Sequence, residues 1–120
     1  MPFNYLLTNL LVDVPAAVGA IFLDDEGETI ECVTRHGDPY ELKVEGAYHS
    51  IFARQIVDAG GAHLGGPVRT YVMNGDRLVT LTQVLPGGYY VVLVMDCGGS
   101  IAHARFFLQR AAHVILRELA

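Results

Sequence analysis

The chain has 120 residues, of which 52% are hydrophobic, and it carries a formal net charge of −5. This length favours a single domain, which we expect to cover residues 1–120. Its few basic residues form no stripe that could neutralise phosphates, so a nucleic-acid partner is not expected. No apolar run is long enough to cross a bilayer without a charge, Pro or Gly, so we expect no membrane insertion.

The first segment has the periodicity of a short amphipathic helix. We expect it to end before Pro15, because the residue preceding a proline is pushed toward extended geometry. The apolar positions at helical spacing are Phe3, Leu6, Leu7, Leu10, Leu11 and Val14.

Two strands joined by a hairpin are predicted next. Residues 16–23 are apolar on both faces, which is typical of a central strand, whereas residues 29–34 alternate and predict a half-exposed strand. Gly27 between them can adopt the left-handed conformation that closes a short loop.

A middle helix is predicted over residues 38–60, although residues 40–44 alternate as a strand would. From Ala47 onward the helical pattern is clear, and its uncharged arc spans roughly 140°. This arc holds Ile51, Gln55, Tyr48, Ala59, Phe52 and Ile56. Packing against one sheet requires a narrower uncharged arc than this, so we expect a partner to cover Tyr48, Phe52 and Ile56.

Residues 67–95 predict a three-stranded meander. Asn74-Gly75 is a strong hairpin signal, and the run after Pro86-Gly87-Gly88 is apolar on both faces, as in a central strand. The first strand of the meander follows a crossover, so we expect it at a sheet edge, which proteins pair, cover or charge. Two copies could pair there, with their middle helices packed across a two-fold axis.

A last helix follows the segment Gly98-Gly99-Ser100. Its apolar stripe consists of Ile101, Ala104, Leu108, Ala111, Ala112, Ile115 and Leu119. Gly99-Ser100 lies between a strand and a helix, as a nucleophile elbow does, but the chain ends before the later loops that carry the acid and histidine in hydrolases. The lysine of a phosphate-binding loop is also missing. We interpret the segment as a turn with Ser100 as the helix N-cap.

The polar residues predict neither a catalytic site nor a metal site, and we expect no cofactor. The five histidines contain no H-x-x-x-H pair. Arg54 and Arg69 could act as arginine fingers that stabilise phosphoryl transfer, but most surface arginines are only solvated, and we interpret these two in that way. Cys32 and Cys97 lie far apart in the sequence. No Lys or Arg precedes Arg35, so the positively charged start of a signal peptide is missing. We therefore expect a cytoplasmic protein with two buried, reduced thiols.

The element order is α-β-β-α-β-β-β-α, which predicts an α+β domain with a mostly antiparallel sheet and helices on both faces. The middle helix can cover one face, and the terminal helices can pair on the other.

Three segments resemble the roadblock (dynein light chain) family, which includes bacterial regulators of Ras-like GTPases. They are "VPAAVGAIFLDDEGETI", "GAYHSIFARQIVDAG" and "PGGYYVVLVMDCGGSIAHARFFLQRAAHVI". The resemblance implies a five-stranded antiparallel sheet and dimers that join through the middle helix and third strand. It also implies a non-enzymatic platform for small GTPases. One bacterial type stimulates GTP hydrolysis without supplying an arginine finger.

These patterns and the resemblance lead to the hypothesis of a non-enzymatic homodimer that regulates or holds a small Ras-like GTPase. The predicted dimer interface consists of Tyr48, Ile51, Phe52, Gln55, Ile56, Val68, Thr70 and Val72. His49, Arg54 and Arg69 are predicted to contact the GTPase. Three alternatives remain: a heteromeric partner of the same fold, a small-molecule-sensing domain of a bacterial signalling system, and a serine hydrolase acting through Ser100.

Overall fold

The computed structural model describes residues 2–35, 55–56, 58–60, 65 and 68–119. Its elements follow the predicted order α-β-β-α-β-β-β-α. Residues 55–56 and 58–60 are helical and belong to the middle helix, α2; the rest of the helix predicted over residues 38–60 lies outside the described residues. The other elements are α1 (Pro2–Asp13), β1 (Ala17–Leu23), β2 (Thr29–Thr34), β3 (Thr70–Asn74), β4 (Leu78–Val84), β5 (Tyr90–Asp96) and α3 (Ile101–Leu119).

The five strands form one antiparallel sheet in the order β2-β1-β5-β4-β3. β5 lies at the centre with β1 beside it, as the apolarity of both strands on both faces predicts. Every residue from Tyr90 to Met95 is buried. The expected position of β3 at an edge is confirmed, and β2 with its half-buried residues forms the opposite edge.

The main core lies between one face of the sheet and the two terminal helices, which also pack against each other. Phe22 is fully buried at its centre, with the rings of Phe3 and Tyr89 at centroid distances of 5.1 and 5.7 Å. Helix α3 buries four residues of its predicted stripe: Ala104, Leu108, Ala112 and Ile115. Burying a large apolar side chain contributes about 1.5–3 kcal/mol, so this face supplies most of the hydrophobic stabilisation described here.

A smaller cluster occupies the opposite face of the sheet. Its buried members are Ile21, Leu23, Tyr90, Val92 and Val94. The prediction that the middle helix covers this face concerns residues that lie mostly outside the described ones, so it stays a prediction.

Arg35, the residue that follows β2, ties this edge strand to the end of α1. Its Nε donates a hydrogen bond to the carbonyl of Ala17 at 2.8 Å, and its Nη2 donates to that of Val14 at 3.2 Å and to that of Leu11. The last carbonyls of a helix have no intrahelical partner. The guanidinium therefore caps the C-terminal end of α1 and holds it against β1.

Two hairpins differ in how well the sequence predicts them. Gly27 has a φ of 84°, as expected, and the Asp24 carboxylate accepts hydrogen bonds from the N–H groups of Glu26 and Glu28, both at 2.9 Å. The β3–β4 hairpin also forms, but Gly75 has no positive φ. Its N–H donates to the carbonyl of Leu78 at 2.9 Å, so the turn is longer than the tight Asn-Gly turn.

The expectation of two buried thiols is wrong. Cys97 is exposed in the loop between β5 and α3, and Cys32 is half-buried on the edge strand β2. Both positions lie at the boundary of the sheet, where burial is incomplete. Among the described residues, none of the helices has the length and hydropathy of a bilayer-crossing segment.

Candidate functional site

The candidate site is the open edge of β3. In the sheet formed by the described residues, β3 pairs with β4 alone, so its other edge presents backbone N–H and C=O groups to a partner. Val72 and Met73 on this strand are 37% and 41% exposed. No Lys, Pro or bulge protects β3, and the nearest charge is Arg69. The edge is therefore suited to pair with another strand.

The register of β3 against β4 separates the side chains of the edge onto two faces. Val72 lies opposite Leu81, which belongs to the core under α1 and α3. Because side chains alternate along a strand, Thr70 shares that face with Val72. Tyr71 lies opposite Thr82 and packs against the smaller cluster on the other face.

Five predicted interface residues lie within the described part of the chain: Thr70 and Val72 on β3, Val68 just before it, and Gln55 and Ile56 in α2. Val68, Thr70 and Ile56 are half-buried, whereas Val72 and Gln55 are exposed. The Thr70 hydroxyl donates a hydrogen bond to Gln83 Oε1 at 2.8 Å, so its side chain is already engaged within the chain. The other predicted interface residues, Tyr48, Ile51 and Phe52, lie outside the described residues.

Of the three residues predicted to contact a GTPase, only Arg69 can be placed. It is exposed immediately before β3, and its side chain makes no hydrogen bond or ion pair within the described residues. His49 and Arg54 lie outside the described part. Whether these three residues lie close together therefore stays a prediction.

Next to the edge, three buried hydroxyl groups have no hydrogen-bond partner in the described part of the chain: those of Tyr71, Thr80 and Thr82. Thr82 is fully buried, and Thr80 lies two residues before it, on the same face of β4. An unpartnered buried hydroxyl costs about 1–3 kcal/mol. Sequence patterns do not indicate this cluster, because only the β3–β4 register reveals that Tyr71 lies opposite Thr82.

The phenol of Tyr71 is affected by these surroundings. Burial raises its pKa above the ordinary value, the neighbouring Thr82 hydroxyl opposes the rise, and Tyr90 adds to it. The Thr82 hydroxyl is near enough to affect the pKa of the phenol. The two hydroxyls are not oriented for a hydrogen bond, so neither has a partner among the described residues. The phenol of Tyr71 is therefore held neutral more firmly than an exposed one.

The segment Gly98-Gly99-Ser100 is a turn with a helix cap, as predicted. The Ser100 Oγ accepts a hydrogen bond from the backbone N–H of His103 at 3.2 Å, the N-cap geometry. The His103 ring instead donates from Nε2 to the carbonyl of Asp13 at 2.9 Å, which joins α3 to the end of α1. At Gly99 a Cβ atom would lie 2.4 Å from Met95 Cε and 2.5 Å from Ala16 Cβ. Close packing therefore accounts for this glycine.

Within the described ranges, no group of three or more His, Cys, Asp or Glu side chains is placed to hold a metal ion. The chemistry available near the β3 edge is that of backbone pairing, apolar contact, one arginine and the three buried hydroxyls.

Comparison with solved structures gives matches over almost the whole chain, whereas no protein-family model and no curated protein matches. A roadblock/LC7 domain from Streptomyces avermitilis has a TM-score of 0.87 at 19% identity, covering 97% of this chain and 96% of that chain. MglB from Myxococcus xanthus has a TM-score of 0.89 at 11% identity, covering 99% and 95%. The gliding protein MglB from Thermus thermophilus has a TM-score of 0.86 at 20% identity, covering 98% and 90%.

The chain has the roadblock fold. The resemblance inferred from its sequence is thereby confirmed at the level of structure, including the five-stranded antiparallel sheet. Among the described strands β3 is the last of the sheet, and three of the residues predicted to form an interface, Val68, Thr70 and Val72, lie on it or just before it.

Proposed function

We propose that the protein is a non-enzymatic homodimer of the cytoplasm that regulates or holds a small Ras-like GTPase. The observation that carries this proposal is the open edge of β3, with Val72 and Met73 exposed beside it. It is supported by the structural likeness to MglB and to a roadblock/LC7 domain. The family resembled by the sequence acts on small GTPases as a dimeric platform.

Strand pairing alone would not hold two copies together. β3 has five residues, about 17 Å of strand, and each new backbone hydrogen bond contributes only about 0.5–1.5 kcal/mol net. A specific interface buries at least about 1,000 Å². The proposed dimer therefore uses the middle helix as well, with Gln55 and Ile56 from the described part and Tyr48, Ile51 and Phe52 from the remainder.

The GTPase would contact the dimer through His49, Arg54 and Arg69. The exposed guanidinium of Arg69 has no partner among the described residues and can form a charge-assisted hydrogen bond with a carboxylate of the GTPase. Because the family type stimulates hydrolysis without an arginine finger, we expect Arg69→Ala to weaken binding while the hydrolysis rate at saturating protein stays unchanged.

The dimer is tested by native mass spectrometry and light scattering with a pair of matched variants. Val72→Lys places a charge on the β3 edge and should give a monomer, because lysine on an edge opposes strand pairing. Val12→Lys is the control: Val12 is 71% exposed on α1, so this variant should stay dimeric. A wild-type protein that is monomeric at high micromolar concentration would refute the homodimer.

The GTPase is tested by immobilising the wild type and Val72→Lys and adding Ras-like GTPases of the same cell. Each GTPase is loaded with GDP or with a non-hydrolysable GTP analogue. We expect one GTPase to be retained in its GTP form by the wild type and to be lost with the monomeric variant. Failure of every GTPase in both forms would remove the GTPase from the proposal and leave the dimer standing.

A further inference from the structure

A groove of about 580 Å³ lies between the β3–β4 hairpin and the second half of α3. The groove is open to solvent on one side, so an occupant would lie along its wall and would not be enclosed. The groove exists because α3 contacts β4 and β5, so the face of the sheet near β3 is left partly open.

Aliphatic side chains form most of the groove. Val68 and Leu85 come from the sheet side, and Ala112 and Leu116 come from α3. From Gln109 to Leu116 the helix advances by about 10 Å, which sets the length of the apolar wall. That length suits a medium-length alkyl chain lying along the helix.

The polar groups at the groove can all donate hydrogen bonds, and Arg69 is the one among them that cannot accept. Arg69 supplies a cation that is unpaired within the described residues, and Gln109 and His113 supply exposed polar groups from α3. Gln83 uses its Oε1 to accept from Thr70, which leaves its amide N–H groups as donors. No Asp or Glu is among the described residues that line the groove. An occupant with a negatively charged end would therefore find a cation and no described carboxylate in the groove.

Arg69 is the one arginine among the described residues that line the groove, because none of the three arginines of α3 lines it. A negative end of an occupant would therefore pair with Arg69.

We propose that this groove binds a small aliphatic carboxylate, with its alkyl chain along the half-buried Val68 and Leu116 and its carboxylate on Arg69. A guanidinium and a carboxylate can form two parallel charge-assisted hydrogen bonds. The site would make the protein a receptor for a small molecule held by Arg69, the residue that is also proposed to contact the GTPase.

The test is calorimetric titration of the purified protein with sodium decanoate below its micelle concentration. Decanol, which has the chain without the charge, and acetate, which has the charge without the chain, are titrated in parallel. We expect saturable binding of decanoate, weaker binding of decanol and none of acetate. Absence of saturable decanoate binding would overturn the proposal.

Two arginine variants in the same hairpin locate the anion. Arg69→Gln should weaken decanoate binding about tenfold, because a hydrogen bond to a charged group is lost, and should leave decanol unchanged. Arg77→Gln removes an exposed arginine at the opposite end of the hairpin and should change the affinity by less than about twofold. Equal effects of the two variants would contradict the assignment of Arg69.

Leu116→Glu tests the apolar wall, and Val72→Lys tests the oligomeric state. A carboxylate at position 116 should abolish decanoate binding while circular dichroism stays that of the wild type. Decanoate binding seen only in the monomeric Val72→Lys variant would assign the groove to a second copy of the chain and refute a ligand site. The assay contains no GTPase, so this proposal and the proposed function can fail separately.

Discussion

The centre of the sheet and its β3 edge differ in how completely their side chains are buried and hydrogen-bonded. Around β1 and β5 the side chains are apolar, buried and tightly packed on both faces, with Phe22 at 0% exposure. Around β3 two apolar side chains are exposed, and three hydroxyls nearby are buried without partners in the described part of the chain. The difference indicates that the centre supplies most of the stability of the single chain and that the edge, as far as the described residues show it, contributes less.

The largest effect is expected from truncation in the centre. Phe22→Ala removes a fully buried ring between Phe3 and Tyr89 and should lower the free energy of unfolding by about 3–5 kcal/mol. Val72→Ala at the edge should lower it by less than about 1 kcal/mol in a monomeric background. Urea denaturation of both variants at concentrations where the protein is monomeric would reveal similar losses if the proposed division of stability is wrong.

A neighbouring pair of glycines sharpens the same contrast. Gly99→Ala would force a Cβ against Ala16 and Met95 at the end of the central strands, and we expect a loss of about 1–3 kcal/mol. Gly98→Ala meets nothing within 4 Å and should stay within about 0.5 kcal/mol of the wild type. Thermal unfolding of the two variants distinguishes close packing from a general need for glycine in this loop.

Near the β3 edge we expect one substitution to raise the free energy of unfolding, whereas the substitutions above lower it. Thr82→Val keeps the side-chain shape and removes a fully buried hydroxyl that lacks a partner among the described residues, so we expect a gain of about 1 kcal/mol in the free energy of unfolding. Thr82→Ser keeps the hydroxyl and should show no gain. A loss of stability in the valine variant would mean that this hydroxyl is hydrogen-bonded in solution.

The smallest effect concerns pH and Tyr71. Burial raises the pKa of this phenol in the folded protein, so the unfolded chain, with a tyrosine pKa of about 10, loses its proton first as the pH rises. The folded state then binds more protons than the unfolded state, and stability falls between about pH 10 and the folded pKa. In Tyr71→Phe this part of the decline should be missing when urea midpoints are compared from about pH 8 to pH 11.

Much of this fold follows from patterns that are local in the sequence. Apolarity on both faces identifies β1 and β5 as inner strands, and the crossover before β3 indicates an edge. The stripe of α3 gives its buried face because helical periodicity fixes which residues turn inward.

The features that escaped the sequence depend on contacts between distant residues. The unpartnered hydroxyls require the register that brings Tyr71 against Thr82, and the groove requires knowing that α3 lies over β4 and β5 rather than over β3. The exposure of Cys97 follows from a loop whose path is set by packing at Gly99. None of these can be read from periodicity or turn signals alone.

The cap that Arg35 places on α1 bears on the order of events at the ribosome. The carbonyl of Val14 already accepts from the N–H of Ala17 at 2.9 Å, but the guanidinium that reaches it and the carbonyl of Leu11 comes from beyond β2 and is present only when residue 35 has left the exit tunnel. The N-terminal helix can coil earlier, but its last turn is fastened only after the first hairpin has emerged. The end of α1 is thus completed only after β2 has been synthesised, and the burial of β1 is completed later still, when β5 pairs with it.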